Sequence, residues 1–390
     1  MRALGRISLL GVAGLLVLAT VPASSAAFVD TGGVETTLAS TAAAPVPLAG
    51  IEAGVDFSLG WTANGTLYAW GANDVGQLGL GDSAARDTPT FVPMPGGASV
   101  VSASAGVNAS IALTSTGDVY TWGSSDIAPS GAVPGLIPAL SGQDVVGVSS
   151  GGFFFLAWTG DGRLFSWGNN GGGRLGRTGT GIQLTPARVT AQGIDSRVVT
   201  SAAAGRHFGT ALTDGATTVL GWGSFFNAAA GVTFSGLPTD STVAGIDAGD
   251  AIVFAWTADG RLFSGDTTFA FTQNSTLAGV AIRHAVASLP QSGPSSYFAW
   301  GDDGVLYGWG LNTSGQLGLG DTADRATPTP VPVPGGSSVA ELAEANAHTL
   351  FIGQDGAFSA TGSNTSGQLG TDDTVSRNTF SAPVFVVGWP

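Results

Sequence analysis

The chain has 390 residues, of which 43% are hydrophobic and only 10% charged, with 62 Gly, no Cys and a formal charge of −14 at pH 7. All 13 of its cationic residues are Arg, so a P-loop lysine, a lysine Schiff base, thiol nucleophiles, disulfides and Cys-ligated metal centres are excluded. An acidic, Lys-free surface repels phosphate backbones and anionic lipid, which argues against nucleic-acid or membrane-surface partners.

Arg2 and Arg6 precede an apolar run from Ile7 to Val21, which Pro22 ends and small residues Ala23 to Ala27 follow. A basic start, an apolar stretch and a small-residue end form a secretory signal pattern, read here as residues 1–26 with cleavage after Ala26 or Ala27. The run is shorter than the roughly 18 to 20 residues that a spanning helix needs. Residues 27–44 are rich in Thr, Ala, Ser and Gly without a period and read as a flexible lead into a folded body at 45–390.

From there the chain repeats itself. Asn64-Gly65, Gly117-Asp118, Asp161-Gly162, Asp214-Gly215, Asp259-Gly260, Asp303-Gly304 and Asp355-Gly356 each lie between two apolar runs. They recur about 50 residues apart. Such pairs tolerate the positive φ of tight hairpin turns. A strand of alternating large residues follows each turn, as in Thr66-Leu67-Tyr68-Ala69-Trp70-Gly71 and Val305-Leu306-Tyr307-Gly308-Trp309-Gly310. Before each turn lies a strand introduced by small residues, as in Val101 to Gly106 and Val199 to Gly205. Small residues suit crowded inner strands around a central channel.

A loop returns after the Trp-Gly strands. Gly71-Ala72-Asn73-Asp74-Val75-Gly76-Gln77-Leu78-Gly79-Leu80-Gly81-Asp82 is repeated from Gly310 to Asp321, with Gly315, Gln316 and Gly318. It returns from Gly362 to Asp372, with Gly367, Gln368 and Gly370, and a worn copy runs from Gly168 with Asn170, Gly173, Leu175 and Gly176. Pro-containing strands follow, such as Thr88-Pro89-Thr90 and Thr327-Pro328-Thr329-Pro330. They belong at sheet edges, because Pro cannot donate to a ladder.

These loops and strands resemble the regulator-of-chromosome-condensation repeat family. The resemblance covers roughly 45–390 and implies an all-β, seven-bladed β-propeller of four-stranded antiparallel blades. The repeats near residues 99, 195 and 244 lack the Gly-Gln-Leu-Gly loop and rest on their hairpins. The family's inner-strand His is present at His348. Phe57, Phe154 and Phe208 occupy that register elsewhere, with His207 one position off. Pro45 to Leu48 and Ala382 to Val386 are the two candidates for the outer strand that closes the ring.

Several motifs have an architectural reading. Gly171 to Gly176 fits a Gly-x-Gly-x-x-Gly pattern but sits in a repeat loop, without the helix that nucleotide binding requires. His207, His284 and His348 lie in different repeats, none with a ligand at metal spacing. Asp82, Asp321 and Asp372 end repeat loops and Asp302 and Asp303 lie in a turn, so they read as caps rather than as a paired-carboxylate hydrolase site. Trp70, Trp122, Trp167, Trp222 and Trp309 read as packing between blades. The family includes plant ultraviolet photoreceptors, whose Gly-Trp-Arg-His-Thr motif this chain lacks.

The expected function is that of a secreted, monomeric protein-binding scaffold acting through rim loops, as an inhibitor or adaptor of an extracellular protein, without enzyme activity, cofactor or metal. The candidate partner-binding residues are Ile127 and Leu136 in the long loop Ser124 to Gln143, and Phe225 and Phe226 in the loop from Ser224 to Asn227. Gly76, Gln77, Gly79, Gly315, Gln316, Gly318, Gly367, Gln368 and Gly370 are expected to be structural. The alternatives are guanine-nucleotide exchange, which the family resemblance implies, and hydrolysis of an extracellular polymer.

Overall fold

Each expected hairpin glycine takes a positive φ: Gly65, Gly117, Gly162, Gly215, Gly260, Gly304 and Gly356 lie between 70° and 88°. A side chain is strained there. These turns sit between the second and third strands of seven four-stranded antiparallel sheets. The structure, a computed structural model, describes residues 47–224, 228–266, 268–289 and 295–383. The expected signal segment, Phe225 and Phe226 lie outside the described residues. The sheets, here blades 1 to 7, span residues 48–91, 100–136, 145–188, 199–233, 243–273, 282–330 and 339–381. Among the described residues there is no α-helix, only short 3-10 turns.

Within each blade the strands are hydrogen-bonded in simple sequence order. Turns between first and second strands and loops between third and fourth strands therefore emerge on one face, the loop face. The hairpins and the connections between blades emerge on the other. The first strands, such as Leu48–Ala53 and Val243–Ala248, line a central channel together. The Pro-containing strands Arg86–Phe91, Ile182–Arg188 and Arg325–Pro330 are outermost, as expected from their missing donors.

The core lies between blades. Trp70, Trp122, Trp167 and Trp222, from the third strands of blades 1 to 4, are fully buried. Each such ring contributes roughly 4–6 kcal/mol of transfer free energy at about 25 cal/mol per Å². The second-strand Trp61, Trp158 and Trp256 lie over Gly50, Gly147 and Gly245 of the first strands, where any Cβ would fall about 2 Å from the indole. His284 takes that place in blade 6 and stacks on Trp300 at 5.1 Å.

Among the described residues, all four strands of every blade come from consecutive sequence and no strand is exchanged at closure. This corrects one closure candidate: Leu48 opens the innermost strand of blade 1. The outermost strand of blade 7 is Arg377–Ser381, just before the second candidate segment, of which Val384 to Val386 lie outside the described residues. The ring closes instead through side chains, since the Gln368 carbonyl of blade 7 accepts from the Ser58 hydroxyl and the Trp70 indole of blade 1.

Candidate interaction face and central channel

The repeat loop is a clasp between blades. The Gln77 side-chain oxygen accepts the Val75 N–H at 3.0 Å, and Gln316 and Gln368 do the same for Ser314 and Ser366. Asn73, Asn312 and Asn364 fix the other half of the loop by accepting from Leu78, Leu317 and Leu369. The shaped loop presents its Gln carbonyl to the next blade. That of Gln77 accepts from Ser110 and Trp122, and that of Gln316 from Thr349. In the worn copy the Arg174 carbonyl accepts from Trp222. Gly315 shows why the framework needs glycine: its φ is +78°, and a Cβ would fall 2.6 Å from Asn378 Cα of blade 7. Through the Gln77, Gln316 and Gln368 carbonyls these loops join one blade to the next.

Asp82 and Asp321 cap these loops, each accepting from the loop Asn and pairing with Arg86 or Arg325. In blade 7 the corresponding acid is Asp373, paired with Arg377, and not Asp372. Asp302 pairs with Arg283, and Asp303 accepts from the Tyr307 hydroxyl. Gly171 to Gly176 begins as a single 3-10 turn inside a clasp, with no α-helix after it.

Blade 2 has no such loop, and its long substitute folds inward. Ile127, expected at a rim contact, is only 3% exposed and packs with Ala128, Ile137, Leu140 and Trp167 in an apolar cluster. That position is corrected to core: the loop plugs with hydrocarbon the space that a clasp fills with a carbonyl. Consequently the buried Trp167 indole N–H has no acceptor. Leu136, on the two-residue outer strand of the same blade, is 43% exposed.

Around the channel, the fifth residue of a first strand reaches forward to the next blade. Ser104 accepts from the Ser150 N–H, Ser149 from Ala204 and Asp247 from Ala287. Glu52 is hydrogen-bonded to the Ala105 backbone, and Glu341 of blade 7 to that of Ile51. Burial pushes Asp247 up to about 6 and Glu341 up to about 7. It also raises Glu52 well above the usual range, with help from the neighbouring Glu341 and Asp247 charges. Glu344 is raised mainly by burial; one of its oxygens accepts from the Ser296 hydroxyl and the other, Oε2, has no partner. Sequence reading missed this set, because each residue looks ordinary in its own strand.

On the loop face, a half-buried ledge joins blades 3 and 4. Phe153 stacks on His207 at 5.5 Å, and the Arg174 guanidinium lies 4.9 Å above the Phe153 ring. Beside them Arg206 approaches Asp250 at 4.0 Å. Burial, and then the Arg174 and Arg206 charges, lower the His207 imidazole. The other two histidines are packed. His348 is fully buried, accepts or donates at Ser58 Oγ across 2.9 Å, and is pushed down to about 3 by burial. His284 lies between Trp256 and Trp300. Among the described residues no group of three or more His, Asp or Glu converges as a metal site.

Seven four-stranded antiparallel blades, with a recurrent clasp loop in blades 1, 3, 6 and 7, define a repeat propeller. Models of the regulator of chromosome condensation (RCC1) repeat match residues 64–113, 161–212 and 303–352, and a second model of that repeat matches 49–77 and 145–174. The ultraviolet-B receptor UVR8 of Arabidopsis thaliana is 30% identical over 355 residues, covering 84% of this chain and 80% of the receptor. The chain belongs to the RCC1 repeat family. Among solved structures, human WBSCR16 shares the fold with a TM-score of 0.69 at 19% identity, covering 79% of this chain and 87% of that one. Prp20p of Saccharomyces cerevisiae, described with its binding to Gsp1p and histones, gives 0.65 at 21% identity, covering 77% and 80%.

Proposed function

We propose that this propeller is a secreted protein-binding scaffold whose partner docks on the loop face of blades 3 and 4. The Arg174–Phe153–His207 ledge carries the reading. It sets a cation and two rings on rigid turns of two blades, and aromatic and Arg side chains are the commonest interface anchors. Among the described residues Arg174 has no carboxylate partner, whereas Arg86, Arg163, Arg197, Arg261, Arg283, Arg325 and Arg377 each do.

Charge favours the same place. Residues 145–188 hold four Arg and one Asp in a chain whose formal charge is −14. A partner segment bearing a carboxylate beside an apolar or aromatic side chain fits that ledge. Phe225 and Phe226 extend the proposal to the loop after Ser224, and Leu136 offers a separate apolar contact on the rim of blade 2. An inhibitor or adaptor of an extracellular protein is the form this takes if the signal segment directs export.

The experiment is to locate the native protein in culture fluid or cells, then capture partners from that fraction with wild type and with Arg174→Gln. A partner retained by wild type and lost by the variant supports the reading. Confinement to the cytosol, or equal retention by both, removes it.

A further inference from the structure

The clasp of blade 3 lacks the acid that its sister loops carry. In blades 1, 6 and 7 the loop Asn donates to an Asp nine residues on: Asn73 to Asp82, Asn312 to Asp321 and Asn364 to Asp373. Each Asp then pairs with an Arg four residues further, Arg86, Arg325 or Arg377. Asn170 of blade 3 reaches the same position and finds only a backbone carbonyl, that of Gly179, at 2.6 Å. Gln183 stands where the Arg would be. A Cβ on Gly179 would fall 2.5 Å from Gln183 Nε2, so the Gln amide occupies the place where the Asp side chain would begin. Gln183 Oε1 accepts from Arg177, whose other acceptors are Ser166 Oγ and the carbonyls of Ser166 and Thr185. Among the described residues this guanidinium thus meets neutral acceptors where the sister clasps hold an ion pair. Burial pushes both Arg177 and Arg174, of the same loop, below the usual Arg value.

We infer that this clasp extends the docking ledge, and that its occupant is an acidic peptide segment of the partner, with one carboxylate at Arg174 beside an aromatic side chain on Phe153 and a second carboxylate at Arg177. The inference rests on the docking reading above and specifies the partner's chemistry. A half-buried cation without a counterion carries a desolvation cost that an incoming carboxylate offsets, and the planar guanidinium fork matches a carboxylate in shape. The sister clasps supply the precedent within this chain: there a carboxylate at the same position meets a guanidinium at 2.6 to 2.7 Å. Arg174 and Arg177 are three residues apart in one loop, a span that a few extended residues cover at about 3.3 Å each. A long polyanion suits the surface less. Its excess of Arg is confined to residues 145–188 of a chain whose formal charge is −14, so such a ligand would run onto acidic neighbours.

The test is an NMR titration of the full chain, followed at its Arg Nε–H resonances, with the blocked peptide Asp-Asp-Phe-Asp-Asp at pH 7 and low salt. The decisive variant is Gln183→Glu, which hands Arg177 a carboxylate of nearly unchanged shape. Arg174→Gln tests the ledge, and Gln354→Glu makes the same charge change on the hairpin face of blade 7. The expected result is saturable binding, weakened about fivefold or more in Gln183→Glu and in Arg174→Gln and unchanged in Gln354→Glu. Gln183→Glu should melt no lower than wild type, because it completes an ion pair, so its lost affinity cannot come from unfolding. Absence of saturable binding, full affinity in Gln183→Glu, or an equal loss in Gln354→Glu would overturn the inference. So would heparin binding more tightly than the peptide with the same sensitivity to Gln183→Glu, since that pattern marks a polyanion site. A loss in Arg174→Gln alone would overturn the second carboxylate and leave the ledge reading standing. That reading falls separately, if the captured partner is retained equally by wild type and Arg174→Gln.

Discussion

The Trp122 indole N–H donates to the Gln77 carbonyl across 2.9 Å, joining the third strand of blade 2 to the repeat loop of blade 1. Trp167 holds the same place one blade further on and finds no acceptor, because the blade 2 loop offers Ile127 and Ala128 instead. The pair forms an internal control. Trp122→Phe should lose a hydrogen bond worth about 1 kcal/mol beyond the loss of ring volume. Trp167→Phe should lose ring volume while relieving an unsatisfied donor, so it should cost about 1 kcal/mol less than Trp122→Phe. Denaturant melts of the two variants check this, and equal losses would show that the clasp bond carries no net stability.

The Gln316 side chain closes its loop on the Ser314 N–H at 3.0 Å, while its carbonyl serves blade 7. Gln316→Ala should therefore lower stability by about 1 kcal/mol and leave partner affinity unchanged. Lost affinity at an unchanged melting temperature would assign recognition to the clasp.

Stability should fall as pH rises through neutrality. Burial holds Asp247 at about 6 and Glu341 at about 7, above the unfolded values near 4. The folded state therefore keeps protons that the unfolded state releases, and this stabilising contribution is lost as pH rises through those values. His348, lowered to about 3, acts oppositely but only below about 6.5, where the unfolded imidazole takes up a proton. Between pH 6.5 and 8 the channel acids act without that opposition. Asp247→Asn or Glu341→Gln should each raise stability at pH 8 by up to about 3 kcal/mol and flatten the profile. Urea melts across this range test it. A wild-type stability that climbs from pH 6.5 to 8 would contradict it.

Much of the architecture is visible in the sequence because it depends on local rules. The six Asn-Gly and Asp-Gly turns and the turn at Gly117-Asp118 specify positive φ by themselves, and Pro89, Pro186 and Pro328 mark outer strands by their missing donor. The register reading also holds: Phe57, Phe154, Phe208 and His348 pair with the closing glycines Gly71, Gly168, Gly223 and Gly362. Errors arise where meaning depends on another blade. Ile127 looks like an exposed loop residue until Trp167 is seen beside it. Asp372 follows the last repeat loop directly, yet the preceding Asn364 reaches Asp373. The channel acids and the Arg174–Phe153–His207 ledge are assembled from first-strand positions, turns and loops of separate blades, which no linear spacing reveals. Aligning the first strands on their following turns would have placed Glu52, Ser104, Ser149 and Asp247 at one common position.

Within the ledge, Phe153→Ala should remove the ring that both His207 and Arg174 rest on. A half-buried cation–π contact contributes about 0.5–1 kcal/mol, so the fold should lose little. If the ring is an interface anchor, affinity should drop by roughly 2 kcal/mol or more. A large melting shift with unchanged binding would make Phe153 a packing residue instead.

The most direct test of the scaffold account is the affinity of the captured partner for wild type, Phe153→Ala, Arg174→Gln and Gln316→Ala, measured beside each melting temperature. The account predicts that both ledge variants weaken binding about tenfold or more with little change in melting, a loss of at least about 1.4 kcal/mol. It predicts the reverse for Gln316→Ala. Full affinity in both ledge variants, with intact folds, would place recognition elsewhere on the propeller and contradict the account.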